Sequence, residues 1–291
     1  MTHPLIEALR DADPAKRLAA CREVPGDPAG VLLADALGEA LSDPVRAVAR
    51  AAGDALVTLA RRDRSVDGVL RRALRSDDPG RRFGAAASLA RLEPPGPSLV
   101  PALVEALAHR EGDVRWNAAR LLVDAGRLHP DVLGLLLGLA RSDDRPRVRR
   151  MAAFALRELA PDHPETSRAL LDASHDKETD VRRAALAAMA TLADPGADVL
   201  DRLVAVLGGD HDPASRRIAT VALGELGAAN PQGLPAGTTD RLREIAGAAP
   251  DPDLRRGAAR ALARLGLAGA AESVTRSESA LRSSRMRRVP R

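Results

Sequence analysis

The chain has 291 residues, with 44 Lys and Arg against 40 Asp and Glu for a formal charge of +4, one cysteine and three aromatic residues. A single cysteine excludes an intrachain disulfide framework, and the longest apolar run, residues 132–140, is too short to span a bilayer. The start, Met1-Thr2-His3-Pro4, has no basic segment followed by an apolar one, so a soluble, cytoplasmic protein with no membrane partner is expected.

The charge is unevenly placed. Residues 272–291 hold six Arg and two Glu, a net +4 that equals the whole chain's, so the preceding body is neutral. Tyr is absent and Lys occurs only at Lys16 and Lys177, so a high isoelectric point reflects few titrating groups, not a basic body.

From the N-terminus onward one pattern is written about eight times: an Asp-rich turn, then Arg, then an Ala-rich run closing on Leu. The opening arginines are Arg17, Arg46, Arg82, Arg115, Arg149, Arg182, Arg216 and Arg255, at spacings of 29, 36, 33, 34, 33, 34 and 39. A period in this range signals stacked supersecondary units. Three residues on stands Ala20, Ala49, Ala85, Ala118, Ala152, Ala185, Ala219 or Ala258. Ala favours helix and lets neighbouring helices approach closely. Offset seven is usually large and apolar (Leu89, Leu122, Leu156, Met189, Leu223, Leu262), as is offset ten (Leu56, Leu92, Leu159, Leu192, Leu226, Leu265). Offsets 3, 7 and 10 trace one helix face, the expected core seam.

Upstream of each turn lies another apolar helical run, such as residues 99–107 and 200–207, so each unit reads helix, short turn, helix. Asp43-Pro44, Asp78-Pro79 and Asp212-Pro213 are helix-start signals, because Asp caps free N–H groups and Pro suits the first helical position. Breakers at residues 93–97, 194–196 and 230–233 separate the units.

With Asp180-Val181-Arg182-Arg183-Ala184-Ala185-Leu186 as its clearest copy, the chain resembles the HEAT-repeat family, including the bacterial lyase-type HEAT-like repeats, over roughly residues 5–267. The resemblance implies an all-α solenoid of about eight HEAT-like helix pairs forming a right-handed superhelix, here assigned to residues 1–267. It says little about activity, because such arrays include scaffolds, lyase subunits and a few nucleic-acid enzymes.

Position one after the opening arginine should point away from the core, toward the inner, concave face. In order it reads Leu18, Ala47, Phe83, Trp116, Arg150, Arg183, Arg217 and Arg256. One helical turn on come Arg22, Ala51, Ala87, Arg120, Phe154, Ala187, Val221 and Arg260. All three aromatics of the chain fall on these two stripes. The expected partner-binding face is therefore Phe83, Trp116, Arg120, Arg150, Phe154, Arg183, Arg217, Arg256 and Arg260. Trp116, Phe83 and Phe154 form its apolar anchor, and Arg150, Arg183, Arg217 and Arg256 clamp an acidic group. The alternative is a register off by one, with the aromatics in the core and the arginines on a solvated face.

The expected function is a non-catalytic scaffold for a protein or peptide, an acidic one being suited to the arginines. Nucleic acid is the second reading, since Trp116, Arg120 and Asp124 at helical spacing resemble the groove of HEAT-like DNA glycosylases. A neutral body and three rings argue against it. An accessory subunit of a lyase-type enzyme is the third. No cofactor, metal or catalytic residue is assigned: His109, His175 and His211 lie in turns, no two His share a helix at i, i+4, and Cys21 reads as a buried small hydrophobe. Residues 268–291 form a polar, basic tail expected to be disordered.

Overall fold

Aspartate ahead of proline starts the second helices by the expected chemistry. Asp13, Asp78, Asp212 and Asp251 sit in extended backbone and accept a hydrogen bond from a first-turn N–H at 2.8, 2.8, 2.9 and 2.9 Å, with Pro at the first helical position. The computed structural model describes residues 3–209 and 212–267, so His211 and the basic tail lie outside the described residues. Among the described residues there are sixteen α-helices and no strand.

The helices run as eight pairs. They are α1 (Pro4–Leu9) with α2 (Pro14–Glu23), α3 (Ala34–Ala40) with α4 (Arg46–Arg62), α5 (Asp67–Ala73) with α6 (Pro79–Leu89), and α7 (Val100–Ala106) with α8 (Gly112–Leu128). Next come α9 (Asp131–Ser142) with α10 (Pro146–Leu159), α11 (Pro164–Ala173) with α12 (Thr179–Met189), α13 (Ala197–Gly209) with α14 (Pro213–Ala229), and α15 (Thr238–Ala248) with α16 (Pro252–Arg264). This is the all-α helical-repeat solenoid expected from the periodicity.

Burial follows the repeat. In α12 the buried set is Val181, Ala185, Leu186, Ala188 and Met189; α8 and α10 bury Val114, Ala118, Leu122 and Val148, Ala152, Leu156 at equivalent places. In α4 the same set is Val48, Ala52, Gly53, Ala55 and Leu56. The position equivalent to the opening arginine in the second repeat is therefore Ala49, not Arg46. With Ala49 the irregular spacings of 29 and 36 become 32 and 33. Asp43-Pro44 accordingly forms a turn ahead of α4, with the Asp43 carboxylate accepting from the Val45 N–H at 2.8 Å.

The opening arginines fasten the turns. Nη1 of Arg17, Arg115, Arg149, Arg182 and Arg255 donates to the carbonyl six residues upstream (Asp11, His109, Asp143, Asp176 and Ala249) at 2.6–2.9 Å, and Arg82 reaches Ser76 the same way. These carbonyls follow the first helix of the pair and have no intrahelical donor, so the guanidinium closes the turn. Arg17, Arg82 and Arg149 also bond a carboxylate of the next repeat: Asp43, Glu105 and Asp176.

The described residues fall into two compact units that divide between Gly134 and Leu135, inside α9. In the first, α2, α4, α6 and α8 pack successively on one another; in the second, α10, α12, α14 and α16 do. The second unit's core runs from Leu170 through Leu186, Leu203 and Leu223 to Leu262. Gly224 marks a close approach of two of its helices: a Cβ there would lie 2.9 Å from the Ala261 Cβ of α16.

Candidate interaction face

On a helix of 100° per residue, offsets 1 and 5 lie roughly 120–180° from the centre of the buried arc. In the first unit this turns Phe83 half outward on α6 and leaves Trp116 of α8 43% exposed, with Arg120 exposed one turn further on. Phe83 and Trp116 occupy equivalent positions on helices that touch. Neither is core, so the register of the two stripes holds in these repeats.

The second repeat departs from the expected assignment. Counted from Ala49, its outward positions are Arg50 and Asp54 in place of Ala47 and Ala51. Arg50 and Asp54 are exposed, and so is Arg22 of α2. Asp54 pairs with Arg91 at 2.6 Å. The Arg22 and Arg50 side chains make no hydrogen bond or ion pair with another described residue. Arg46 instead reaches the start of α8, where it pairs with Asp113 and lies 3.7 Å from Glu111.

The second unit holds the four-arginine strip, and there each guanidinium has a carboxylate. Arg150 lies 3.8 Å from Asp180; Arg183 bonds Asp212 at 2.6 and 2.8 Å and lies 3.7 Å from Asp180. Arg217 bonds Asp251 at 2.9 Å and approaches Asp253 at 4.0 Å, and Arg256 pairs with Asp253. Half-buried Phe154 carries the Arg157 guanidinium 4.9 Å above its ring centroid. Arg260 is exposed and has no ion pair among the described residues.

Asp212 and Asp251 act twice, capping their own second helix and receiving an arginine from the preceding repeat. The Arg183 fork holds the Asp212 carboxyl far below the usual carboxylate range, against its partial burial and helped by Ser215. Burial pushes the Asp176 carboxyl up, but Arg149 and the Glu178 N–H outweigh it and the net direction is down. At Asp251 burial is likewise overcome, by the Asp253 and Leu254 N–H groups and by Arg217.

The remaining candidates are structural in their contacts. Nδ1 of His3, His109 and His163 accepts a backbone N–H two residues on, at 3.3, 3.1 and 3.2 Å, the role Asp has in other turns. Cys21 is fully buried, and burial pushes its thiol up to about 11. Among the described residues no group of three or more His, Cys, Asp and Glu is placed to hold a metal ion.

The pairing of the C-terminal arginines was not legible from their stripe, because it depends on which turn the stacking sets beside each one. Arg22 stands on the second stripe as read from the sequence, whereas the exposed Arg50 was hidden because Arg46 occupies the apparent opening position of the second repeat. Its signal was the two abnormal spacings flanking that repeat, which compensate each other.

A family model described as HEAT repeats matches residues 34–122, 100–190 and 167–263. No curated protein sequence matches the chain significantly. Among solved structures, Kap95p, studied for its binding to RanGDP, is similar with a TM-score of 0.61 and 15% identity over 90% of this chain and 40% of its own. Importin beta gives 0.58 and 15% over 92% and 40%. YibA of Escherichia coli gives 0.57 and 22% over 90% and 91%. The chain thus spans 40% of the length of Kap95p and of importin beta, and nearly all of YibA.

Proposed function

Because the chain belongs to the HEAT-repeat family, we propose that it is a non-catalytic scaffold holding a protein or peptide partner on the face of its second helices. The observation that carries this is Trp116, 43% exposed beside the equivalent Phe83 in a chain with only three aromatic residues. A large ring left half in water is the residue type that anchors interfaces, since its burial on association removes extensive apolar area at low entropic cost. Kap95p, of the same fold, is described in complex with RanGDP and with Nup1, which supports a protein partner here.

The arginine clamp is proposed in reduced form. Arg150, Arg183, Arg217 and Arg256 already sit against Asp180, Asp212, Asp251 and Asp253, so a partner's carboxylate must compete with one in place. That compensation also weighs against nucleic acid, which draws its affinity from an uncompensated run of cations. The test is retention of native-lysate material on the immobilised chain, with and without nuclease, at low and moderate salt. A stoichiometric protein lost with Trp116→Ala, at unchanged helicity, supports the scaffold. Retention of nucleic acid as the main material overturns it.

A further inference from the structure

Between α2 and α4, on the second-helix face of the first unit, lies an open hollow of about 600 Å³. Its floor is aliphatic, with Leu18, Ala51 and Ala55 beside the buried Cys21, and Arg22 and Arg50 stand on its rim. Asp54, also lining it, is held by Arg91 at 2.6 Å. Neither Arg22 nor Arg50 has a charge partner among the described residues, so the hollow carries two uncompensated cations over an apolar floor. Its wall is fixed in advance: Arg62 on α4 donates to the Pro25 carbonyl at 2.6 Å, tying the segment after α2 to α4.

We infer that this hollow docks an acidic segment of a partner protein. A carboxylate lies against Arg22 and Arg50, and a neighbouring aliphatic side chain rests on Leu18 and Ala51. Charge complementarity selects the anion, because two guanidiniums with no internal counter-ion are paired only when a ligand arrives. The floor selects a peptide over a nucleic acid: no aromatic ring lines the hollow to stack a base, and two cations are too few to track a phosphate backbone. The inference rests on the reading of the second-helix face as an interaction surface, but uses residues distinct from Phe83 and Trp116.

The test is selection of a random-peptide library on the full chain. Affinities of the enriched peptides are then measured by fluorescence anisotropy, with oligo-dT as a competitor. Enriched peptides are expected to place Asp or Glu beside Leu, Ile or Val. Their Kd should rise at least about tenfold in the Arg22→Glu, Arg50→Glu double variant. The same loss is expected in Ala47→Trp, which fills the hollow without changing its charge. All three positions are exposed, so the melting temperature should hold. Trp116→Ala should bind these peptides normally. If it does so while losing the native partner, the two sites are separate. If the native partner survives Trp116→Ala but not the charge reversal, the aromatic anchor fails and the hollow stands. Failure to enrich acidic peptides, binding that survives the charge reversal, or displacement by oligo-dT overturns the inference.

Discussion

Arg149 shows how much a repeat arginine contributes when it is buried. It is 6% exposed and donates to both Asp176 oxygens, at 2.6 and 2.9 Å, and to the Asp143 carbonyl at 2.7 Å. Removing it leaves a part-buried carboxylate unpaired and a turn carbonyl without its donor. Such a loss is governed by the stranded charge more than by the bond itself. Arg149→Ala should therefore cost on the order of 3 kcal/mol. Arg183, 38% exposed, bonds Asp212 with similar geometry, but its own end of the pair is open to water, and the carboxylate left behind keeps the Ser215 N–H at 2.9 Å and the Ser215 hydroxyl at 2.7 Å. Arg183→Ala should cost under about 1 kcal/mol. Urea unfolding followed by circular dichroism compares the two, and equal losses would show that burial does not set the scale.

At the scale of the helix, two glycines with the same formal helix penalty should respond in opposite directions. Gly138 in α9 has nothing within 4 Å of an added Cβ, so Gly138→Ala should stabilise by about 0.8 kcal/mol through helix propensity. Gly224 in α14 would place its Cβ 2.9 Å from the Ala261 Cβ and 3.0 Å from its Cα, atoms that cannot swing aside. There an overpacking cost of about 1–3 kcal/mol outweighs the propensity gain, and Gly224→Ala should lower the melting temperature. A rise in both variants would mean that α14 and α16 separate readily. The same contrast explains what was legible in the sequence. Helix type and pairing could be read because Ala, Leu and Asp-Pro recur with the period of the fold. The exact register of α4 could not, because Arg46 imitates the opening arginine and Asp43-Pro44 imitates its cap. The burial of Val48, Ala52 and Leu56 decides in favour of Ala49. On the candidate face, the outward placement of Phe83 and Trp116 followed from that period. The ion pairing of Arg183 and Arg217 depends on turns 29 and 34 residues away, and no local pattern announces it.

At the scale of the whole chain, the carboxylates held below their ordinary range are distributed unequally. In the second unit these are Asp143, held by Arg145, Glu165, held by Arg141, and Asp176, Asp212 and Asp251, where arginine and backbone donors outweigh burial. In the first unit they are Asp11, lowered by the Asp13 N–H and by Lys16, and Asp63, lowered by the Ser65 N–H and hydroxyl. A carboxyl with a depressed folded pKa binds fewer protons folded than unfolded. Its contribution is thus complete above the unfolded value, near 4, and is lost as pH falls through the folded value. Acid should therefore act first on the second unit. In a repeat array, where each repeat contacts only its neighbours, one unit can open while the other persists. Hydrogen exchange read by mass spectrometry between neutral pH and pH 2.5, corrected for intrinsic rates, should show protection in α10, α12 and α14 falling before that in α4, α6 and α8. Asp212→Asn should remove part of that acid-dependent loss while lowering stability at neutral pH, because the amide keeps its capping oxygen but cannot hold the Arg183 charge. Simultaneous loss of protection in both units would show that the arginine–carboxylate ladder does not set the acid limit of the fold.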